Sequence, residues 1–140
     1  MNTIVCAVDE SPGSAQAARV AARLGETLGL RLVLAHVARG DRLAGGTPAA
    51  YERARGEAER LLDRVKADAG LNGNADRRAE AGGDPASTIA RVAAEEAASL
   101  IVVGARSQGR RRRTLLSGLA AELNATAPCP VLVVPPAARR

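Results

Sequence analysis

Apolar residues gather along this chain in four short continuous runs, separated by longer stretches in which they recur every three to four positions. The runs are residues 3–8 (Thr-Ile-Val-Cys-Ala-Val), 31–37 (Arg-Leu-Val-Leu-Ala-His-Val), 100–103 (Leu-Ile-Val-Val) and 131–134 (Val-Leu-Val-Val). Their length and β-branched content predict strands buried on both faces. Between the first two runs, Ala17, Val20, Ala21, Leu24 and Leu28 fall on one stripe of a helix over 14–28. Over 48–69, Tyr51, Ala54, Ala58, Leu61, Leu62, Val65 and Ala69 form a second stripe. The opposite face is charged, with Glu52 and Arg55, and Asp63 and Lys66, spaced for i,i+3 pairing. A third helix, to about Ala97, turns Ile89, Ala93 and Ala97 inward, and a short fourth covers 118–126.

One predicted strand breaks the pattern. Residues 76–81, Asp-Arg-Arg-Ala-Glu-Ala, are polar, and a polar strand belongs at a sheet edge, where charge opposes edge-to-edge aggregation. The punctuation agrees with these boundaries. Gly29 is placed to close the first helix in a left-handed cap. Asp84-Pro85 sets an N-cap followed by proline at the first helical position. Pro128 and Pro130 bracket Cys129 and stop the last helix.

Strands alternating with helices in the order β-α-β-α-β-α-β-α-β imply an α/β, doubly wound, five-stranded parallel sheet covered on both faces. Right-handed crossovers and a polar third strand at one edge select the order 3-2-1-4-5, over residues 1–140 as one domain. In such a sheet a ligand crevice lies outside the strand carboxyl ends where the winding reverses, here between the first and fourth strands. Asp9 and Gly104 leave those two strands. Asp9 can accept ribose hydroxyls or help hold a hydrated cation. Gly104 leaves room for a ligand against the backbone.

Composition narrows the picture. Apolar residues make up 46% of 140, enough for one core, and they are mostly Ala, Val and Leu, with Tyr51 the one aromatic. No run reaches membrane-spanning length, and the first residues lack a basic stretch ahead of an apolar one, so no secretory signal is expected. Cys6 and Cys129 read as two buried, inert thiols in strand segments, and the cytoplasm is the expected compartment. The net charge is +5, much of it from Arg110 to Arg113 and the Arg139-Arg140 end. This permits phosphate or nucleic-acid contact, but the lack of aromatics for base stacking argues against nucleic acid.

Several segments then carry a resemblance. Val5-Cys6-Ala7-Val8-Asp9-Glu10-Ser11-Pro12, His36-Val37, Gly82-Gly83-Asp84-Pro85, Val102-Val103-Gly104-Ala105-Arg106 and Ala127-Pro128-Cys129-Pro130-Val131-Leu132-Val133-Val134 resemble, in order, the landmarks of universal stress proteins. The resemblance implies a flavodoxin-like sheet of the adenine nucleotide alpha hydrolase-like kind and ATP as the ligand, with magnesium accompanying the nucleotide at Asp9. It further implies that Ala7 and Val37 meet adenine through backbone groups and that Asp9 faces the ribose or phosphates. Gly104, Arg106, Ser107, Gly109, Arg110, Gly118 and Leu119 would line the phosphates. A homodimer would form through the last strand, Val131, Leu132, Val133 and Val134.

The phosphate loop departs from the family's pattern of Gly, two residues, Gly, nine residues, Gly, then Ser or Thr. Ser107 stands where the second glycine belongs, and Ser117-Gly118 reverses the final pair. If position 107 requires a positive φ, serine there costs about 1–2 kcal/mol. Ser117 can instead cap the fourth helix, and Arg106 with Arg110 to Arg113 adds cations beside any phosphate. The Gly104–Gly109 spacing mimics a P-loop, but Arg110-Arg111 replaces its lysine and hydroxyl. His36 reads as a satisfied strand-end histidine, and Asp9 can also serve only as a turn former. No nucleophile–base constellation is arranged by order or spacing, so any catalysis would amount to slow ATP hydrolysis. Three function classes stay open: a nucleotide-responsive stress protein, a protein-interaction module with an empty crevice, and a basic nucleic-acid-associated protein. The protein partners are not specified.

Overall fold

The computed structural model describes residues 2–38, 46–71, 73, 75–105 and 118–136. In chain order the elements are β1 (Thr3–Ala7), α1 (Gly13–Leu28), β2 (Arg31–Ala38), α2 (Pro48–Asp68), β3 (Asp76–Ala81), α3 (Pro85–Glu95), β4 (Ala98–Gly104), α4 (Gly118–Thr126) and β5 (Val131–Val134). All strand pairings are parallel, and the sheet order is β3-β2-β1-β4-β5. The expected topology is therefore the observed one, with polar β3 at one edge and short apolar β5 at the other.

The period of two along each strand splits the core into two layers. Ile4, Cys6, Leu32, Leu34 and Val102 face α1 and α2, where Ala17, Ala21 and Leu62 meet them. Val5, Val33, Ala35, Ile101 and Val103 face α3 and α4, where Ile89, Val92 and Leu123 fill the gap. Alanine at the helix contact positions lets the helices sit close to the sheet, which is how a core of aliphatic side chains alone reaches full burial. Burial also pushes the Cys6 thiol up to about 12, so it has no thiolate character near neutral pH.

The caps form as the chemistry requires. Gly29 closes α1 at φ 70°, and its N–H donates to the Gly25 carbonyl. Asp84 accepts from the Ser87 N–H at 2.9 Å, with Pro85 opening α3. Gly82 and Gly83, at φ 87° and 82°, make the turn from β3 into α3.

Four local expectations are corrected. Leu28 and Tyr51 lie at helix ends past the reach of the core and stay 58% and 40% exposed. Ala97 is not an inward helical residue: it takes a left-handed φ of 54° between α3 and β4, which begins at once with Ala98. Asp63 does not pair along its helix with Lys66 but reaches Arg77 of β3 at 3.2 Å. Cys129 lies part-buried in the bend before β5, not in a strand, and burial still raises its pKa.

Candidate functional site

The site is built on the turn between β1 and α1. Val8 continues the ladder by donating its N–H to the Ala35 carbonyl at 2.9 Å. The chain then turns on Asp9. One carboxylate oxygen, Oδ1, accepts from the Ser11 N–H at 2.8 Å, the Ser11 hydroxyl at 2.6 Å and the Ser14 hydroxyl at 3.1 Å. The Asp9 N–H in turn donates to Ser14 Oγ at 2.8 Å. Asp9 is thus a turn former and also a fixed acceptor: Oδ1 is consumed by the turn, and no described residue bonds Oδ2. His36, on β2, places Nδ1 at 2.8 Å from the Val8 carbonyl. A carbonyl only accepts, so this contact assigns the proton to Nδ1 and ties the carboxyl end of β2 to the same turn. His36 is satisfied, as its position predicts.

A cavity of about 440 Å³ opens over this turn, within the size range of small-molecule sites. Ala7, Val8, Asp9 and Glu10 supply the β1 side, and Ala35 to Ala38 the end of β2. Pro85, Ile89 and Leu119 close the α3 and α4 side. On the other side α2 contributes an apolar floor, Ala54, Ala58 and Leu61, and a charged rim, Glu57, Arg60 and Arg64.

Four of the sequence-predicted residues, Ala7, Asp9, Val37 and Leu119, line this one cavity although they come from three separate elements and a turn. Gly104 and Gly118 are not part of its lining. Gly104 ends β4 beside the start of α1. A Cβ there would stand 3.8 Å from the Gly13 carbonyl oxygen, an ordinary contact, so packing against the described residues does not demand glycine. Gly118 opens α4, and no described residue would lie within 4 Å of a Cβ there. Arg106, Ser107, Gly109, Arg110 and Ser117, with Arg111 to Arg113, lie outside the described residues. Among the described residues the cavity is lined from β1 and the turn after it, β2, α2, α3 and α4. The α2 residues were missed by sequence reasoning. Their i,i+3 and i,i+4 spacing marks a stripe on the helix, but which stripe borders the crevice is decided by how α2 packs.

Among the described residues, no group of three or more His, Cys, Asp or Glu side chains is arranged to hold a metal ion. No helix among the described residues is long and apolar enough to cross a membrane.

A doubly wound parallel sheet with its crevice at the strand carboxyl ends places this chain among the α/β proteins of flavodoxin-like topology. The chain belongs to the universal stress protein family, whose pattern it matches over residues 1–135. Among solved structures it is similar to a universal stress protein family member from Burkholderia pseudomallei, at 28% identity and a TM-score of 0.67, covering 97% of this chain and 96% of that one. It shares its fold with the universal stress protein of Archaeoglobus fulgidus in complex with dAMP (23% identity, TM-score 0.71, 95% and 97% covered). It also shares the fold of a universal stress protein in complex with cAMP (21% identity, TM-score 0.72, 95% and 96% covered). No curated protein matches the chain.

Proposed function

We propose that this protein is a cytoplasmic stress-response homodimer that binds an adenine nucleotide, ATP or a relative of it, in the crevice over β1 and β2. The observation that carries the reading is the convergence of Ala7, Asp9, Val37 and Leu119 on one cavity, with Asp9 locked in place by Ser11 and Ser14. A nucleoside needs a flat apolar slot and an acceptor for its ribose hydroxyls. Ala7, Val37, Ile89 and Leu119 supply the slot, and Asp9 Oδ2 the acceptor. The family members in complex with dAMP and cAMP support the ligand class. Magnesium, where present, would be carried mainly by the nucleotide's own phosphates, with Asp9 as the protein's contribution, as hard oxygen-ligated magnesium commonly is.

Calorimetric titration with ATP and magnesium tests the reading. Saturable binding weakened at least about tenfold in Asp9→Ala is expected. No binding by well-folded protein would instead make the chain an interaction module whose substituted phosphate loop, Ser107 and Ser117-Gly118, does not hold nucleotide.

The dimer reading rests on β5. It pairs with β4 on one side only, at the sheet edge. Val131 and Val133 pack on the α3–α4 layer, whereas Leu132 points outward, 36% exposed. An apolar edge strand pairing with its copy removes both free edges. Leu132→Lys spares the core contacts, so it is expected to give monomer on size-exclusion chromatography; an unchanged dimer would place the interface elsewhere.

A further inference from the structure

In a parallel ladder a residue turns its N–H and its C=O to the same neighbouring strand, and alternate residues face the same side. Val8 donates its N–H to the Ala35 carbonyl at 2.9 Å. That bond turns Ala35, and with it Val37 two residues further on, toward β1. The next rung would carry the Val37 N–H to the Val8 carbonyl. It is not formed, because the β1–β2 register stops at Ala7 and Ala35. The Val8 carbonyl instead receives Nδ1 of His36 at 2.8 Å. A side chain thus takes the place of a main-chain rung at the carboxyl end of β2. Val37 is buried and lines the cavity. Its N–H, turned away from β3, meets no carbonyl among the described residues. A buried main-chain donor without a partner is costly, and beside a cavity it is satisfied by an acceptor on a ligand.

We propose that His36 is a positioning residue that sets base selection: by occupying the Val8 carbonyl, it keeps the Val37 N–H open to a bare ring nitrogen of the base. This rests on the nucleotide reading above and adds to it a choice among purines. In adenine N1 is an acceptor. In hypoxanthine and guanine N1 carries a hydrogen, which would set donor against donor and leave the Val37 N–H unanswered. A site built around a buried hydrogen-bonding group rejects the analogue that cannot pair with it. Without the His36 donor, the Val8 carbonyl is open to the Val37 N–H, the last rung closes, and the distinction between the two kinds of purine goes with it.

Titration calorimetry on the full chain with ATP and ITP tests the proposal, since these differ only in the exocyclic group of the base and the hydrogen on N1 beside it. The parent should prefer ATP about tenfold or more. His36→Leu should lose most of that preference, by weakening ATP rather than ITP. His36→Asn, whose amide N–H has about the reach of Nδ1, should keep it. A role in stability alone would lower both nucleotides together and leave their ratio unchanged. Scalar couplings across hydrogen bonds, read by NMR on the ligand-free parent, should join Nδ1 of His36, but not the Val37 nitrogen, to the Val8 carbonyl carbon. A Val37 coupling in the parent, an unchanged ratio in His36→Leu, or an equal loss in His36→Asn would each overturn the proposal. ATP and ITP bound equally well by the parent would overturn base selection alone. Binding of neither would overturn the nucleotide reading and the selection with it.

Discussion

The crevice over β1 and the β3–α3 edge treat charge in opposite ways. At the edge, Arg78 donates to Glu95 at 2.8 Å, Glu96 at 2.9 Å and Glu80 at 2.9 Å. Arg91 bridges Glu80 and Glu95 at 2.9 and 3.0 Å. Arg31 joins Glu96 to Asp76, both at 2.6 Å. Three guanidiniums and four carboxylates thus form one network from the start of β2, through β3, to the end of α3. It lies where the polar strand has no apolar side chains to offer that helix. In the crevice, by contrast, Asp9 Oδ2, Arg60 and Arg64 have no ion-pair or hydrogen-bond partner among the described residues. Charges paired several times over hold two elements together. Charges left with open valence beside a cavity are what a ligand can use.

The largest expected effect comes from cutting the network at its centre. Arg78→Met keeps the aliphatic stem but leaves Glu80, Glu95 and Glu96 one partner short. Arg91 and Arg31 still reach those carboxylates, so the loss should be about 1–3 kcal/mol by chemical denaturation. ATP affinity should not change. A parallel fall in affinity would mean that the two regions are coupled and the contrast fails.

Acid should do the same reversibly. Hydrogen bonds from Arg78 and Arg31 hold Glu96 below its ordinary value of 4.5. Those from Arg78 and Arg91 do so for Glu95. For Glu80, burial works in the opposite direction, but the bonds from Arg91 and Arg78 outweigh it. Carboxylates depressed in the folded state add stability above their unfolded pKa, and that stability is lost as pH falls through the folded values. The denaturation midpoint should therefore drop below about pH 4.5, less steeply in Arg78→Met than in the parent. Equal slopes would show that the network does not carry the acid sensitivity.

The smallest effect sharpens the crevice side. Ser14→Ala removes one hydroxyl that accepts from the Asp9 N–H and donates to Oδ1. A loss of about 1 kcal/mol in stability is expected, with ATP affinity several-fold weaker because Asp9 is less firmly held. Unchanged affinity, read by the same titration, would mean that the nucleotide does not depend on how Asp9 is positioned.

Much of this was legible in the chain. The apolar runs, the Gly29 and Asp84-Pro85 caps and the polar third strand sufficed for the strand order, because burial periodicity, cap chemistry and edge composition are local properties. Asp9 was legible as a residue leaving the first strand at a reversal of winding. The misplaced residues share one cause. Leu28 and Tyr51 obey the helical period, but a helix overhangs the sheet at its ends, and period carries no information about where the sheet stops. Ala97 continues the third stripe in sequence, yet the chain must reverse within one residue to begin β4, so it takes the left-handed turn instead.

What the sequence determined by itself is the order and type of the elements and, with them, which chain ends meet at the reversal of winding. Only the tertiary structure decided what α2 contributes. Whether Arg60 and Arg64 meet solvent, a carboxylate or a cavity depends on the rotation of that helix against β2 and β3. That rotation is set by the packing of Ala54, Ala58, Leu61 and Leu62 together, not by any residue alone.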